Sequence, residues 1–500
     1  MNNFLNSLKE EVNLGYTENG AIKRNSTLNH VLDLFAMGGA YRTRRDKDIE
    51  ELFGDAYREN KDLAMKCLFY LRDIRGGQGE RNFFRVSYKW LIKNDEKVAK
   101  LFLEKIPEFG RWDDLIDICY GTNLDSRMAN IIYNQLAKDR ICKTPSLLGK
   151  WMPSENASNK ETREKARWFM KKFGMTPRAY RKMLSALREK INVLERLMSS
   201  NQWDAIEFDK IPSKAGMKYR NAFAVKEVTA ARYKAFMESK ETKVNAGVLN
   251  PVDIVGKIID HHYQYDETFI NTMQKYWDNL KDYYCGREEN AIAVVDVSGS
   301  MHGTPMAAAV GMGAYIAEKS HGPFARHFIT FSQNPQLVEF QGDNIVDKVR
   351  RCIRANWGMN TNVEATMDLI LNTAIEKKLP QSDLPARLYI FSDMEFDAAA
   401  FDDDYLWRVG RKDEKVFSDR RNTLFENIER KFNNAGYEMP KVTFWNLNAR
   451  TKNIPGIGDK FNYISGFSMS QMEAVMAGLT ATEMMLKVLL ADRYKVIEVE

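Results

Sequence analysis

The stretch that most constrains the fold is AIAVVDVSGSMHGTPM, residues 291–306. An apolar, β-branched run starts at Ala291 and breaks at Asp296, Ser298 and Ser300. Thr304-Pro305 then predicts an N-cap followed by the first helical position. A strand apolar enough to be covered on both faces, followed by a polar loop and a helix, belongs in an α/β sheet. Ligands of open α/β sheets gather beyond the carboxyl ends of the strands, so the loop puts one carboxylate and two hydroxyls where a site is expected. These hard oxygen donors suit a divalent cation that keeps several of its waters. The same pentapeptide also reads as an Asx-type turn capping a helix.

Asp296-Xaa-Ser298-Xaa-Ser300 resembles the metal-ion-dependent adhesion site of von Willebrand A (vWA) domains. The resemblance implies two further ligands, a Thr from a later loop and an Asp at the end of a central strand. Thr361, in NWGMNTNVEATMDLIL, and Asp393, closing the strand-like RLYIFSD, stand in those places, with Asn360 competing for the role of Thr361. The implied ion is Mg²⁺, with Mn²⁺ or Ca²⁺ as alternatives. In vWA domains that bind through the metal, a partner's carboxylate completes the coordination shell.

The rest of the C-terminal half alternates in the same way. RHFITFS is a strand, LVEF an edge strand and DNIVDKVRRCIRAN a helix; TLFENIERKFNNAG is a later helix, VTFWNLN and YISGFS are strands, and SQMEAVMAGLTATEMMLKVLL closes the domain. This predicts a doubly wound, mainly parallel, Rossmann-like sheet. An acidic insertion, residues 394–419, follows Asp393 and contains Glu395, Asp397, Asp402, Asp403 and Asp404. It reads as a solvated loop or as an internal cap on the ion.

A chain of 500 residues exceeds one core. Its first half carries helical periodicity in HVLDLFAMGGAYR, DIEELFGDAYREN, KDLAMKCLFYLRDI and NFFRVSYKWLIKN, separated by short breaks. Helices so connected predict antiparallel pairs, as in a solenoid or bundle, although no strict repeat length is present. The expected class is therefore α + α/β: a polar arm over 1–30, a helical domain over 31–285, a vWA-like domain over 286–490 and a tail over 491–500.

Net charge is +6, compatible with a nucleic-acid partner without requiring one. Its distribution says more, because Lys160 to Arg196 holds about a dozen Lys and Arg against roughly four Glu. Lys171, Lys172, Arg178, Arg181 and Lys182 interleave there with Trp168, Phe169, Phe173 and Tyr180. That pattern is either a phosphate footprint with stacking aromatics or a solvated helix face over core aromatics. IPSKAGMKYRNAF adds Lys214, Lys218 and Arg220.

LRDIRGGQGER, with Arg72, Arg75 and Arg81, offers a phosphate its backbone N–H groups and guanidinium forks, or else is a glycine-rich turn in which Arg75 pairs with Asp73 or Glu80. It lacks the GK[ST] ending of a Walker loop. The charges of KIPEFGRWDDL suggest interhelical pairing. Five scattered cysteines without CxxC spacing predict reduced thiols rather than a disulfide framework or zinc site. His261-His262 lacks a third ligand nearby. With no long apolar run and no apolar leader in the first twenty residues, a soluble, intracellular (cytoplasmic) protein without a membrane partner is expected.

The series LFYLRDIRGGQGER, IPEFGRWDDL, LLGKWMP, GMTPRAYRKMLSALR and IPSKAGMKYRNAF, followed by DVSGSM, resembles a broadly distributed family of unknown function found in cellular and viral genomes. Its architecture, a helical region followed by a vWA domain, is similar to that of the Ro autoantigen and its TROVE-domain relatives. Those are ring-shaped helical-repeat proteins that bind noncoding and misfolded RNA. The resemblance implies an RNA partner and a ribonucleoprotein role. No nucleophile–base pair or second-metal cluster stands at readable spacing, so a non-catalytic role is expected. The alternatives are an adaptor that captures an acidic partner residue through the metal, and a metal-dependent phosphoester hydrolase.

Overall fold

The computed structural model describes residues 12–191, 194–261, 266–331, 335–354, 362–396, 424–456 and 458–499. Among them the chain forms a hairpin, β1 (Leu14–Tyr16) and β2 (Ile22–Arg24), and a six-stranded sheet. The sheet comprises β3 (Ala291–Val295), β4 (His327–Thr330), β5 (Leu337–Glu339), β6 (Arg387–Ser392), β7 (Lys441–Asn446) and β8 (Phe461–Ser465). Its order is β5-β4-β3-β6-β7-β8. β5 runs antiparallel to β4 at the edge, and every other pairing is parallel. Counted from β3, this is the 3-2-1-4-5-6 order of doubly wound sheets, with its reversal between β3 and β6. The chain is thus α + α/β.

Both central strands are buried at every residue, as their apolar composition requires. Helix Thr304–Lys319 covers β3 and is buried from Ala307 through Ala317, because helix Pro251–Ile259 packs on it in turn. Small residues make that sandwich fit: a Cβ on Gly313 would come within 2.4 Å of Val295 Cγ2, and one on Gly311 within 3.0 Å of the Pro251 carbonyl carbon. Thr304 is the first helical residue rather than the N-cap; Gly303 takes that place at φ +86°, a backbone turn that threonine would resist.

Packing divides the chain into two compact units. One joins the residues up to Cys67 to Leu249–Val496; the other comprises Leu68–Val248 and the residues from Ile497. The stretch 31–285, read from periodicity as one helical domain, thus lends both its ends to the sheet's unit. Helix His30–Met37, for example, packs on β8 and on helix Ala481–Leu489. Periodicity reports an apolar stripe, not the surface that will cover it.

The described part of the expected polar arm is also integrated. Thr17 Oγ1 donates to Phe396 O (2.7 Å), and Arg24 exchanges backbone hydrogen bonds with Ile454 (3.1 and 2.9 Å). At the other end of the chain, Tyr494 and Ile497 are buried rather than forming a free tail.

The helical unit is knitted by ion pairs around Asp114, which is 0% exposed. Arg72 reaches Asp114 Oδ2 through Nε (2.9 Å) and Nη2 (2.6 Å), and Arg85 Nε reaches Oδ1 (2.8 Å). Arg85 extends to Asp113 and Asp117, and Lys165 joins at Asp117 (2.6 Å). A Cβ on Gly110 would lie 2.6 Å from Asp114 Oδ2 and 2.9 Å from Arg72 Nε, so glycine leaves room for the pair.

Candidate functional site

β3 and β6 run side by side, with Val295 opposite Phe391, and end together. Asp296 therefore leaves the sheet beside Ser392 and Asp393 at the reversal of strand order, where doubly wound sheets hold their ligands. The Asp296 N–H donates to Phe391 O (3.0 Å), and Ser392 Oγ donates to Asp296 Oδ2 (2.6 Å). The Ser298 N–H donates to Asp296 Oδ1 (2.9 Å), and the Ser298 and Ser300 hydroxyls lie 3.0 Å apart. Asp296 is 0% and Asp393 1% exposed; Ser298 is buried and Ser300 half-buried.

Two carboxylates this deep and this close oppose each other's ionisation. Burial, reinforced by the charge of Asp296, pushes the Asp393 carboxyl up to about 6, against the opposing pull of the Ser300 hydroxyl and the Glu395 N–H. Asp393 Oδ2 is buried without a hydrogen-bond partner, and no Lys or Arg forms an ion pair with Asp393 among the described residues. Nor do three His, Cys, Asp or Glu side chains converge as a metal cluster among those residues. The donor set is instead two carboxylates and two hydroxyls, one carboxylate oxygen of which is orphaned. A hard divalent cation fits that chemistry. Thr361 and its competitor Asn360 lie outside the described residues, as does the acidic insertion from Asp397 onward.

Glu395 points to a different task. Its Oε2 accepts the Glu18 N–H (2.7 Å), its Oε1 accepts the Thr451 hydroxyl (2.6 Å), and Lys23 Nζ donates to that same hydroxyl (2.6 Å). Burial lowers the Lys23 ammonium below its usual range, opposed by the charge of Glu395. The carboxylate two residues beyond Asp393 thus anchors the N-terminal hairpin, a contact between residues far apart in sequence that no local pattern announces. Ser392 was also missed; its only sequence signal is its place directly before Asp393.

The basic residues fall into distinct groups. Arg72, 1% exposed on Asp114, is removed from the candidate phosphate contacts because its guanidinium is consumed inside the unit. The glycine loop after it turns its N–H groups inward: those of Gly77 and Gly79 donate to Asp73 O, Gln78 to Tyr70 O and Glu80 to Leu71 O. The cradle alternative is corrected to a structural turn, and Gly77 has no room for a Cβ against the Tyr70 carbonyl. Arg75 is exposed; its backbone N–H donates to Asp73 Oδ1 (3.0 Å), while its guanidinium donates to Glu108 O (2.7 Å) rather than pairing with Asp73 or Glu80, and Arg81 is exposed at the start of helix Arg81–Asn94.

Helices Lys160–Lys172 and Pro177–Lys190 present Lys171, Lys172, Arg178, Arg181 and Lys182 to solvent. Lys172 hydrogen-bonds Ser126 (2.8 Å) and lies over the Trp168 ring, and Arg181 pairs with Glu155. Lys171, Arg178, Lys182 and the neighbouring exposed Arg167 form no ion pair among the described residues. Phe169 and Tyr180 are core, while Trp168 and Phe173 are half-buried. Lys214 and Lys218 are exposed, Lys218 over the Tyr219 ring, and the half-buried Arg220 donates to Met217 O (2.9 Å).

The profile of a family described as a domain of unknown function (DUF2828) matches residues 17–164 and 132–283, more than half of the chain. The chain belongs to the DUF2828 family. A second profile, also a domain of unknown function (DUF7788), matches residues 290–493 of this DUF2828 protein. The uncharacterized protein L728 of Acanthamoeba polyphaga mimivirus is 33% identical over 510 residues, covering 93% of this chain and 85% of its own. Among solved structures, the Ro (RSR) protein of Deinococcus radiodurans aligns over 93% of this chain and 99% of its own, at 14% identity and a TM-score of 0.36. An overlay that loose carries no argument about the DUF2828 protein's ligands. No helix among the described residues is long and apolar enough to cross a membrane.

Proposed function

We propose that this DUF2828 protein is a non-catalytic RNA-binding protein with a divalent cation, most simply Mg²⁺, held in its sheet unit. The helical unit binds the RNA backbone on the face of helices Lys160–Lys172 and Pro177–Lys190. Asp296, Ser298, Ser300 and Asp393, with Thr361, hold the cation, which neutralises the buried acidic pair and can accept a further oxygen ligand. The observation that carries the RNA reading is the contrast among cations within one unit. Arg72, Arg85 and Lys165 are matched to carboxylates, whereas Arg167, Lys171, Arg178 and Lys182 are exposed and without an ion pair among the described residues. Exposed, uncompensated cations on two consecutive helices supply the counterion-releasing contacts that bind phosphate backbones. The sequence resemblance implies the same partner.

The test is a salt titration of binding to a structured RNA with a single-stranded end, comparing wild type with a Lys171→Gln/Lys172→Gln/Arg178→Gln/Lys182→Gln variant. Sub-micromolar binding that weakens with salt and is lost in the folded variant is expected. Equal binding by the variant would remove this face from consideration.

A second reading is favoured by the half-buried Ser300, which leaves one side of the acidic pair near solvent. In it the metal captures an acidic residue of a protein partner. That reading requires negligible RNA affinity at moderate salt and partner binding that Asp296→Ala abolishes.

A further inference from the structure

Within the helical unit, a cavity of about 600 Å³ opens among helices Leu148–Trp151, Pro177–Lys190 and Leu194–Ser199. Lys150, Arg181, Arg188 and Arg196 line it against two carboxylates, Glu155 and Glu195. Three of the cations have acidic partners: Arg181 pairs with Glu155, Lys150 with Glu195 (3.3 Å) and Arg196 with Glu189 (2.7 Å). Arg188 differs. Its Nε donates to Gly149 O (2.9 Å), and its Nη2 donates to Met152 O and Ser154 Oγ (3.0 Å each). All three acceptors are neutral, so they aim the guanidinium without cancelling its charge. Burial depresses the Arg188 pKa, the sign of a desolvated cation that lacks an anion. Its Nη1 has no partner among the described residues.

A half-buried guanidinium held by three hydrogen bonds through Nε and Nη2, with Nη1 left over, favours an oxyanion as its charged partner. The cavity volume lies within the roughly 300–1,000 Å³ range of small-molecule sites. We propose that this cavity binds a phosphate monoester of nucleotide size, with Arg188 holding the phosphate and Arg181 flanking it. The source is a free mononucleotide or the 5′-phosphate end of an RNA; the second source rests on the RNA-binding reading, the first does not.

The test is calorimetric titration of the full chain with uridine 5′-monophosphate against uridine, and with a 5′-phosphorylated against a 5′-hydroxyl oligoribonucleotide of one sequence. Loss of a charged hydrogen bond predicts roughly tenfold weaker binding or more for uridine and for Arg188→Gln. Because Arg188 also braces the 149–154 turn, Ser185→Glu is the second variant: it adds a carboxylate to the wall, touches none of those contacts, and should weaken binding with the unfolding midpoint unchanged. Binding of the mononucleotide without preference for the phosphorylated oligoribonucleotide assigns the cavity to free nucleotides. The reverse assigns it to RNA ends. The Lys171→Gln/Lys172→Gln/Arg178→Gln/Lys182→Gln variant should lose RNA but keep mononucleotide affinity, which separates failure of the surface from failure of the cavity. The proposal is overturned if the phosphate group makes no difference in either comparison, or if Ser185→Glu binds as wild type does.

Discussion

Asp114 and Asp393 are equally buried carboxylates with opposite surroundings. Asp114 receives two guanidinium groups and a backbone N–H, so its charge is matched within the protein. Asp393 sits beside another carboxylate, and the partners described around it are hydroxyl and N–H groups that leave one oxygen orphaned. A buried acid matched by arginine is architecture, and removing either partner strands a charge. A buried acidic pair without such a match invites a cation from solution, and removing one of its charges relieves repulsion.

The largest effect should come from the matched site. Asp114→Ala or Arg72→Met should cost about 3–5 kcal/mol, read as a lower urea midpoint; a change under about 1 kcal/mol would show that the network is replaceable. Gly110→Ala, which drives a Cβ into the same pair, should cost about 1–3 kcal/mol in the same assay.

The unmatched site should respond to ions instead. Mg²⁺ at a hundred times its Kd should stabilise the wild type by about 2.7 kcal/mol, reversed by EDTA. Asp393→Asn should abolish that response without destabilising the metal-free chain. A midpoint indifferent to Mg²⁺ and EDTA would mean the acidic pair is accommodated by protein alone, and the contrast with Asp114 would fall.

For the basic face, each lost phosphate contact should reduce the slope of log K against log salt by about 0.7 on single-stranded RNA. The smallest effect is on stability: Lys171→Gln alone should move the midpoint by no more than about 0.5 kcal/mol, since the side chain is exposed and forms no described ion pair.

The alternation of strands and helices after residue 286, the edge position of LVEF and the segments carrying Asp296 and Asp393 were all legible, because each depends on local patterning. The interhelical pairing expected of the KIPEFGRWDDL charges was also legible: Asp114 pairs with Arg72 and Arg85 of other helices. Arg72 was misread as a possible phosphate contact because glycine-rich and arginine-rich loops look alike whether their N–H groups face outward or, as here, back onto the preceding helix. Nothing local marked the Glu395 anchor for the N-terminal hairpin or the aimed guanidinium of Arg188, because their partners come from elsewhere in the chain.

The sequence by itself determined the kinds of element, their order and the chemical donors at the strand ends, since propensity and periodicity act over a few residues. Tertiary structure decided which charges are matched and which remain uncompensated. It also decided that residues up to Cys67 and Leu249–Val496 share a unit with the sheet. The physical reason is the same in each case: burial and charge compensation depend on distance in space, and chain neighbours do not encode it.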